Sequence, residues 1–381
     1  MKEWILEYLQ CPQCSSRLRK QGFQDNERGE TIHGVLVCLK ESCHAWYPIV
    51  RGIPRMLPES LRLPLTQEFI REHHQILLDQ KLIKDSKDLP HDDLHQLKKD
   101  TIRNFGFEWT EFSRFGWDDE VYNKSYEETV FLRKTLLKPA EIKDKLVLDA
   151  GCGNGRYCEW AAQYGGRVIG VDLGDGVESA YKNTLGRNNV QIIQGDILHL
   201  PIRDGSLDVI YSIGVLMHTG DAKKATKSLV SKLKQNGSIT VHVYGKGNWL
   251  YEFCDKTIRD RTTKMSIEEL QAFTKKMYSF RRWMEKIFLA EFVNLFVKID
   301  PHPHCIFDWY AAPIATHHTY SEVRRWFEDF GIVPIETNEG RIFLSPRIKT
   351  RNKYKLGLIR CIKKLLYPME NIPITVRGQK K

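Results

Sequence analysis

Between residues 145 and 244, short apolar runs alternate with amphipathic stretches in a regular order. The runs at 145–150, 167–172, 190–195, 207–212 and 238–244 read as strands, the last with Ile239, Val241 and Val243 on one face. The stretches at 156–164, 177–186 and 221–234 carry helical spacing, and a further helix at 127–137 leads into the first strand. Strands and helices alternating at these lengths predict a parallel sheet covered on both faces. After it come a helical insertion at 246–300, a helix at 321–330 and a closing pair of strands at 332–337 and 341–345. The insertion holds the aromatic runs 280–288 and 292–296, read as a cap over the sheet end that shapes the acceptor pocket, with an ordinary helical layer as the alternative.

The domain plan that follows is 1–60, a polar helical linker and aromatic segment at 61–125, a main domain at 126–345 and a tail at 346–381. In the linker, Phe105, Phe107, Trp109, Phe112, Phe115 and Trp117 crowd together. Core packing is the default for such a cluster, and a wall for a flat ligand is the alternative. Composition places the chain among soluble proteins, with 381 residues, 41% hydrophobic and 28% charged. The first ten residues carry Lys2, Glu3 and Glu7 and form no apolar leader, so a cytoplasmic location is expected. Charge changes the picture only once it is located. The net +10 is matched by eleven Lys/Arg against Glu370 within 345–381, so the body balances to zero.

Two motifs carry chemistry. The first strand runs into Asp149-Ala150-Gly151-Cys152-Gly153-Asn154-Gly155-Arg156, a glycine turn at a strand-to-helix junction where a ligand can approach the backbone. A dinucleotide site would place a third glycine where Arg156 stands. An acid, Asp172, ends the second strand, where it can accept hydrogen bonds from ribose hydroxyls, and Asp196 ends the third. The other motif is Cys11-Pro12-Gln13-Cys14 followed by Cys38 and Cys43. Two short pairs can bring four thiolates to the corners of a tetrahedron, a closed structural Zn site. The remaining cysteines are scattered, which suits a reducing compartment.

Taken in order, the glycine turn, Asp172, Gly195-Asp196 and the strand-four sequence resemble the class I S-adenosylmethionine-dependent methyltransferases. The resemblance covers roughly 126–345. It implies an α/β, Rossmann-like sheet, mostly parallel with an antiparallel last strand, preceded here by a zinc ribbon and interrupted by the helical cap. It further implies that Asp149 and the backbone of Gly151, Cys152, Gly153 and Gly155 lie near the methionine part of the cofactor. Asp172 with Leu173 would take the ribose, Asp196 and Ile197 the adenine, and Ser212, Ile213 and Gly214 the methyl-bearing side. The cysteine segment, with Tyr47-Pro48-Ile49-Val50-Arg51-Gly52-Ile53-Pro54, resembles the zinc-ribbon modules related to the small activator subunits of tRNA and protein methyltransferases. The run from Asp308 through Pro313 to His317, His318 and Thr319 resembles a stretch of bacterial class I enzymes.

Methyl transfer requires alignment of nucleophile, methyl and sulfur more than covalent help. A hydroxyl acceptor would also use a general base, for which His218, His317, His318 and Asp308 are the candidates. The near-neutral body and aromatic cap favour a small-molecule, sugar or lipid-linked acceptor. An rRNA or tRNA acceptor is the alternative, and a non-catalytic protein that binds the cofactor or partners another methyltransferase is the second. In the tail, residues 353–367 place Leu358, Ile362 and Leu365 on one helical face among basic residues. That pattern suggests peripheral contact with a membrane surface, ahead of a solvated tail of no special role and then of contact with RNA phosphates.

Overall fold

A computed structural model describes residues 1–57, 61, 64–83, 96–117, 124–287, 289–340 and 373–381. Eleven strands among them form one sheet: β1 (Leu18–Asp25), β2 (Thr31–Cys38), β3 (Trp46–Val50), β4 (Ile53–Met56), β5 (Leu146–Ala150), β6 (Arg167–Asp172), β7 (Val190–Gly195), β8 (Leu207–Ile213), β9 (Leu233–Val243), β10 (Ile332–Thr337) and β11 (Ile374–Lys380). Their order is β1-β2-β3-β4-β7-β6-β5-β8-β9-β11-β10. The central strands β7, β6, β5, β8 and β9 are parallel. The chain winds outward in opposite directions from β5 and β8, so the carboxyl ends of those two strands open a crevice.

Strand alternation explains the two-sided core. Val147, Val168 and Val209 join one apolar cluster, while their neighbours Leu148, Ile169 and Ile210 join the other. Each face is covered by helices, including Arg156–Gln163 and Gly176–Asn183 on one side and Ala222–Lys232 on the other. Local capping starts several of these helices where the sequence changes from strand to helix. Asp221 accepts from Lys224 N at 2.8 Å, and Thr319 with Glu322 forms a reciprocal capping box ahead of Tyr320–Asp329.

Two boundaries differ from the sequence expectation. The cysteine module is not a separate sheet, because β4 pairs in parallel with β7 at Arg55↔Gln194 and Met56↔Gly195. Lys2 N donates to Gln191 Oε1 at 2.8 Å and Gln10 N to Pro201 O at 3.1 Å, so the module covers what would otherwise be an open sheet edge. At the other end, 346–381 is not wholly a tail. Strand β11 inserts antiparallel between β9 and β10, with Ile374 opposite Val243 and Val376 opposite Val241. Its Arg377 is buried, donating to Leu136 O at 2.8 Å and to Glu141 Oε1 at 2.6 Å. The antiparallel closure is therefore present, but the partner of β10 is β11. The strand expected at 341–345 and the amphipathic stretch at 353–367 lie outside the described residues.

The insertion is helical as expected, with Trp249–Thr262, Ile267–Lys286 and Ala290–Val293. Among the described residues, its aromatic runs do not line the pocket, however. Phe280, Trp283 and Phe292 are exposed, and the insertion's nearest approach to the crevice is through Lys298 and Asp300.

Candidate cofactor and acceptor site

A cavity of about 460 Å³ opens at the carboxyl ends of β5 to β9. Gly151 and Gly153 stand on its wall with φ of 89° and 51°. A Cβ on Gly151 would lie 2.2 Å from Val215 Cγ2, and one on Gly153 would lie 2.7 Å from the Trp109 ring. Glycine is thus demanded by a wall that closes directly on the backbone. Cys152 lies between them, buried. Gly155 begins the next helix and packs against Ala180, away from the cavity wall.

The Asp172 carboxylate accepts from Gly153 N at 2.9 Å and Gly174 N at 3.0 Å, joining the end of β6 to the glycine turn. Burial raises its pKa. Leu173 lies beside it on the wall, and Asp196 and Ile197 line the neighbouring strand end. Asp196 Oδ1 accepts from Leu198 N at 2.9 Å. Ile213 and Gly214 line the β8 side.

Two residues expected at the cofactor stand behind the wall. Ser212 donates to Ala150 O at 2.8 Å and so ties β8 to the turn. Asp149 is buried beneath the turn, accepts from Cys158 Sγ at 3.3 Å, and has its carboxyl pushed up to about 7 by burial.

At the far end of the cavity, His218 lies among Phe105 and Tyr244, with ring centroids at 5.2 and 5.4 Å. Its Nδ1 is 2.6 Å from the Ile314 carbonyl, which can only accept. The ring therefore carries its proton on Nδ1, and Nε2 is buried without a hydrogen-bond partner among the described residues. Burial pushes the pKa down to about 4. Asp308 also lines the cavity, its carboxyl pushed up to about 6 by burial against the opposing influence of Arg156 and Lys134.

The other two histidine candidates are engaged elsewhere. His317 Nδ1 is 2.7 Å from Glu252 Oε2, and His318 Nε2 is 2.8 Å from Thr316 Oγ1 with its ring edge-on to Trp326. Neither lines the cavity. The pattern that singled them out was a sequence turn, and that turn uses its rings to brace the chain after β9, where His318 N donates to Tyr244 O at 2.9 Å.

Several wall residues carried no separable sequence signal. Phe105, Trp109 and Phe115 line the cavity. Tyr244 stacks on Trp309 at 3.9 Å, and Trp309 Nε1 donates to Asp255 Oδ1 at 2.6 Å. Lys134 reaches only Tyr157 OH, at 3.5 Å, and has no carboxylate partner among the described residues. Arg156, visible in the sequence as a missing glycine, lines the cavity with its guanidinium 4.9 Å from the Phe115 ring and 3.6 Å from Glu127 Oε2. His304 faces the fully buried Glu108, Nδ1 to Oε1 at 3.1 Å.

The four thiols meet at one point. The Sγ atoms of Cys11, Cys14, Cys38 and Cys43 all lie within 4.8 Å of one another, and none is in a disulfide. Cys14 to Cys38 is 3.5 Å and Cys11 to Cys43 is 3.8 Å. A Zn²⁺ tetrahedron with bonds of ~2.3 Å needs edges of ~3.8 Å, so the donor set fits that ion.

Sheet order, glycine turn and acidic strand ends have the arrangement of the Rossmann-like class I methyltransferase fold, here behind a four-cysteine module. Residues 148–241 match the protein family described as a methyltransferase domain. Among curated relatives, a tRNA U34 carboxymethyltransferase of Desulfotalea psychrophila is 29% identical over 154 residues, covering 38% of this chain and 47% of that protein. A malonyl-[acyl-carrier protein] O-methyltransferase of Hamiltonella defensa is 29% identical over 130 residues, covering 32% and 49%. The chain thus spans about half the length of these relatives. Among solved structures, magnesium protoporphyrin IX methyltransferase of Synechocystis PCC 6803 superposes with a TM-score of 0.43 at 14% identity, over 77% of this chain and 100% of that one. No helix among the described residues is long and apolar enough to cross a membrane.

Proposed function

We propose that this chain transfers a methyl group from S-adenosylmethionine to a small-molecule, sugar or lipid-linked acceptor. The observation that carries this reading is one continuous cavity joining the glycine turn and the ends of β6 and β7 to His218, Tyr244 and Asp308. Its first half fits the cofactor. Two glycines there tolerate no Cβ, and the Asp172 carboxylate stands at the strand end where ribose hydroxyls are held. Asp196 and Ile197 would hold the adenine, and Lys134 with Arg156 supplies the cationic partners that a carboxylate requires. When bound, the cofactor supplies a methyl already activated by its sulfonium. The chain's own task is alignment and exclusion of water.

The acceptor half is walled by Phe105, Tyr244 and Trp309, which favours an acceptor able to enter an aromatic-walled cavity of about 460 Å³ over a folded RNA. His218 is the base. Its Nδ1–H is held by the Ile314 carbonyl, so Nε2 presents a lone pair, and burial keeps the ring neutral well below the usual range. The ribbon's role is structural, with Zn held by the four thiolates and no position left open.

Incubation with methyl-labelled cofactor and cell extract, fractionated into RNA, protein, lipid and small molecules, tests the assignment. Label is expected in the small-molecule or lipid fraction. Label confined to RNA removes this acceptor class, and intact S-adenosylhomocysteine binding without label in any fraction favours a non-catalytic partner.

A further inference from the structure

Seven of the twelve large apolar side chains exposed among the described residues lie between 249 and 292. Concentration in one insertion sets them apart from the scattered apolar residues of any surface. On the helix Ile267–Lys286, Phe280 and Trp283 stack at 6.0 Å, and they are 44% and 56% exposed. With Ile287 just beyond its end, they recur at three- and four-residue spacing and so form one stripe. Leu289 and Phe292 continue the exposed apolar surface. Asn248 Nδ2 donates to Leu295 O at 3.1 Å, which brings the exposed Trp249 to the same end of the insertion.

The buried face of the helix, through Leu270, Thr274, Arg281 and Met284, is already occupied. Phe273 meets Tyr310 edge-on at 5.7 Å, and Arg281 Nη1 donates to Ile299 O at 3.0 Å. The stripe is therefore separate from the face by which the helix packs on the described residues of its own domain. On its other side the helix exposes Lys275, Arg282 and Lys286, with Lys276 one turn before Phe280 on the stripe itself. Aromatic rings between a docked face and a basic face form the arrangement of a helix lying in a bilayer interface. There the rings enter the acyl boundary and the lysines meet anionic headgroups.

We propose that this face of the insertion docks on an anionic lipid bilayer. Charge complementarity selects that occupant, since Lys275, Lys276 and Lys286 are exposed, Glu268 and Glu269 lie at the helix start, and Glu285 is paired with Arg281 and Arg282. The same helix packs against Pro303–Ala311, whose His304, Cys305, Asp308 and Trp309 line the cavity. Docking would bring the acceptor half of the cavity beside the headgroups. The consequence that the acceptor is lipid-linked rests on the methyl-transfer reading, whereas the docking does not.

The test is flotation of the full chain with vesicles of phosphatidylcholine alone, or of phosphatidylcholine and phosphatidylglycerol in equal parts. The expected result is co-flotation with the anionic vesicles. Binding should fall by about tenfold or more in a Phe280→Ser/Trp283→Ser variant whose melting temperature and S-adenosylhomocysteine binding are unchanged. Lys275→Glu/Lys286→Glu should act in the same direction and retain whatever weak binding the rings alone provide. Failure of the wild-type chain to float, or equal flotation of the Ser variant, overturns the proposal. So does a lipid-free dimer that the Ser variant dissolves, which would make a second copy the occupant. A chain that floats as expected but labels no lipid fraction leaves the docking surface standing and removes the lipid-linked acceptor.

Discussion

Gly153 shows how a single position couples the fold to the site. Its φ of 51° is open to few side chains, and a Cβ would press into the Trp109 ring at 2.7 Å. Gly153→Ala should weaken S-adenosylhomocysteine binding by about tenfold or more in calorimetry, because either the turn or the indole must move. Gly186→Ala, where no atom lies within 4 Å, serves as the control and should leave binding unchanged. His218 is legible as a residue but not as a base until its partner is known. With Nδ1 held by the Ile314 carbonyl and Nε2 without a partner among the described residues, His218→Ala should lower turnover by about tenfold while cofactor affinity changes little. Its pKa is lowered by burial, so the neutral ring persists as pH falls below the ordinary histidine range. The acidic limb attributable to this group should therefore fall near pH 4 in a pH–rate profile. The unfolded chain takes up that proton first, so the same group should make stability decline between about pH 6.5 and about 4. His317 looked equivalent in sequence, yet Glu252 and the chain after β9 hold it away from the cavity.

At the scale of elements, strands buried on both faces read clearly because their apolar runs are nearly continuous. β5 through β9 appear within a few residues of their expected places. Strand β11 does not read this way, because Arg377, Gln379 and Lys380 resemble the basic stretch before them. What makes it a strand is its setting. Ile374 and Val376 pack into the core, and Arg377 finds Glu141 and the Leu136 carbonyl. Ending the chain before Ile374 should therefore lower the melting temperature by ~10 °C or more, or abolish soluble expression, since β9 and β10 would lose their shared partner. A melting temperature unchanged by that deletion would show that the strand contributes nothing to the sheet. The cap helices illustrate the opposite error. Their aromatics read as a roof over the pocket, whereas Phe280 and Trp283 face outward.

For the molecule as a whole, the four-cysteine module and the central sheet are mechanically one object. β4 runs beside β7, and Asp196 follows β7 directly into the cavity wall. Loss of zinc should consequently reach the cofactor site. Chelation, or Cys14→Ser, is expected to remove a stoichiometric zinc, lower the melting temperature by ~5 °C or more and weaken cofactor binding at the same time. Zinc loss with cofactor affinity intact would mean that the module is only appended. The sequence by itself determined the parallel sheet, the glycine turn, the acidic strand ends and the cysteine set, because periodicity and residue spacing are local and survive without knowledge of neighbours. Only the tertiary structure decided which aromatics wall the cavity, which of the candidate histidines faces it, and that the last described strand joins the sheet between β9 and β10. Those outcomes depend on contacts between segments far apart in the chain, such as Trp109 over Gly153 and Ile374 beside Val243. Local pattern carries no information about which distant residue will arrive opposite.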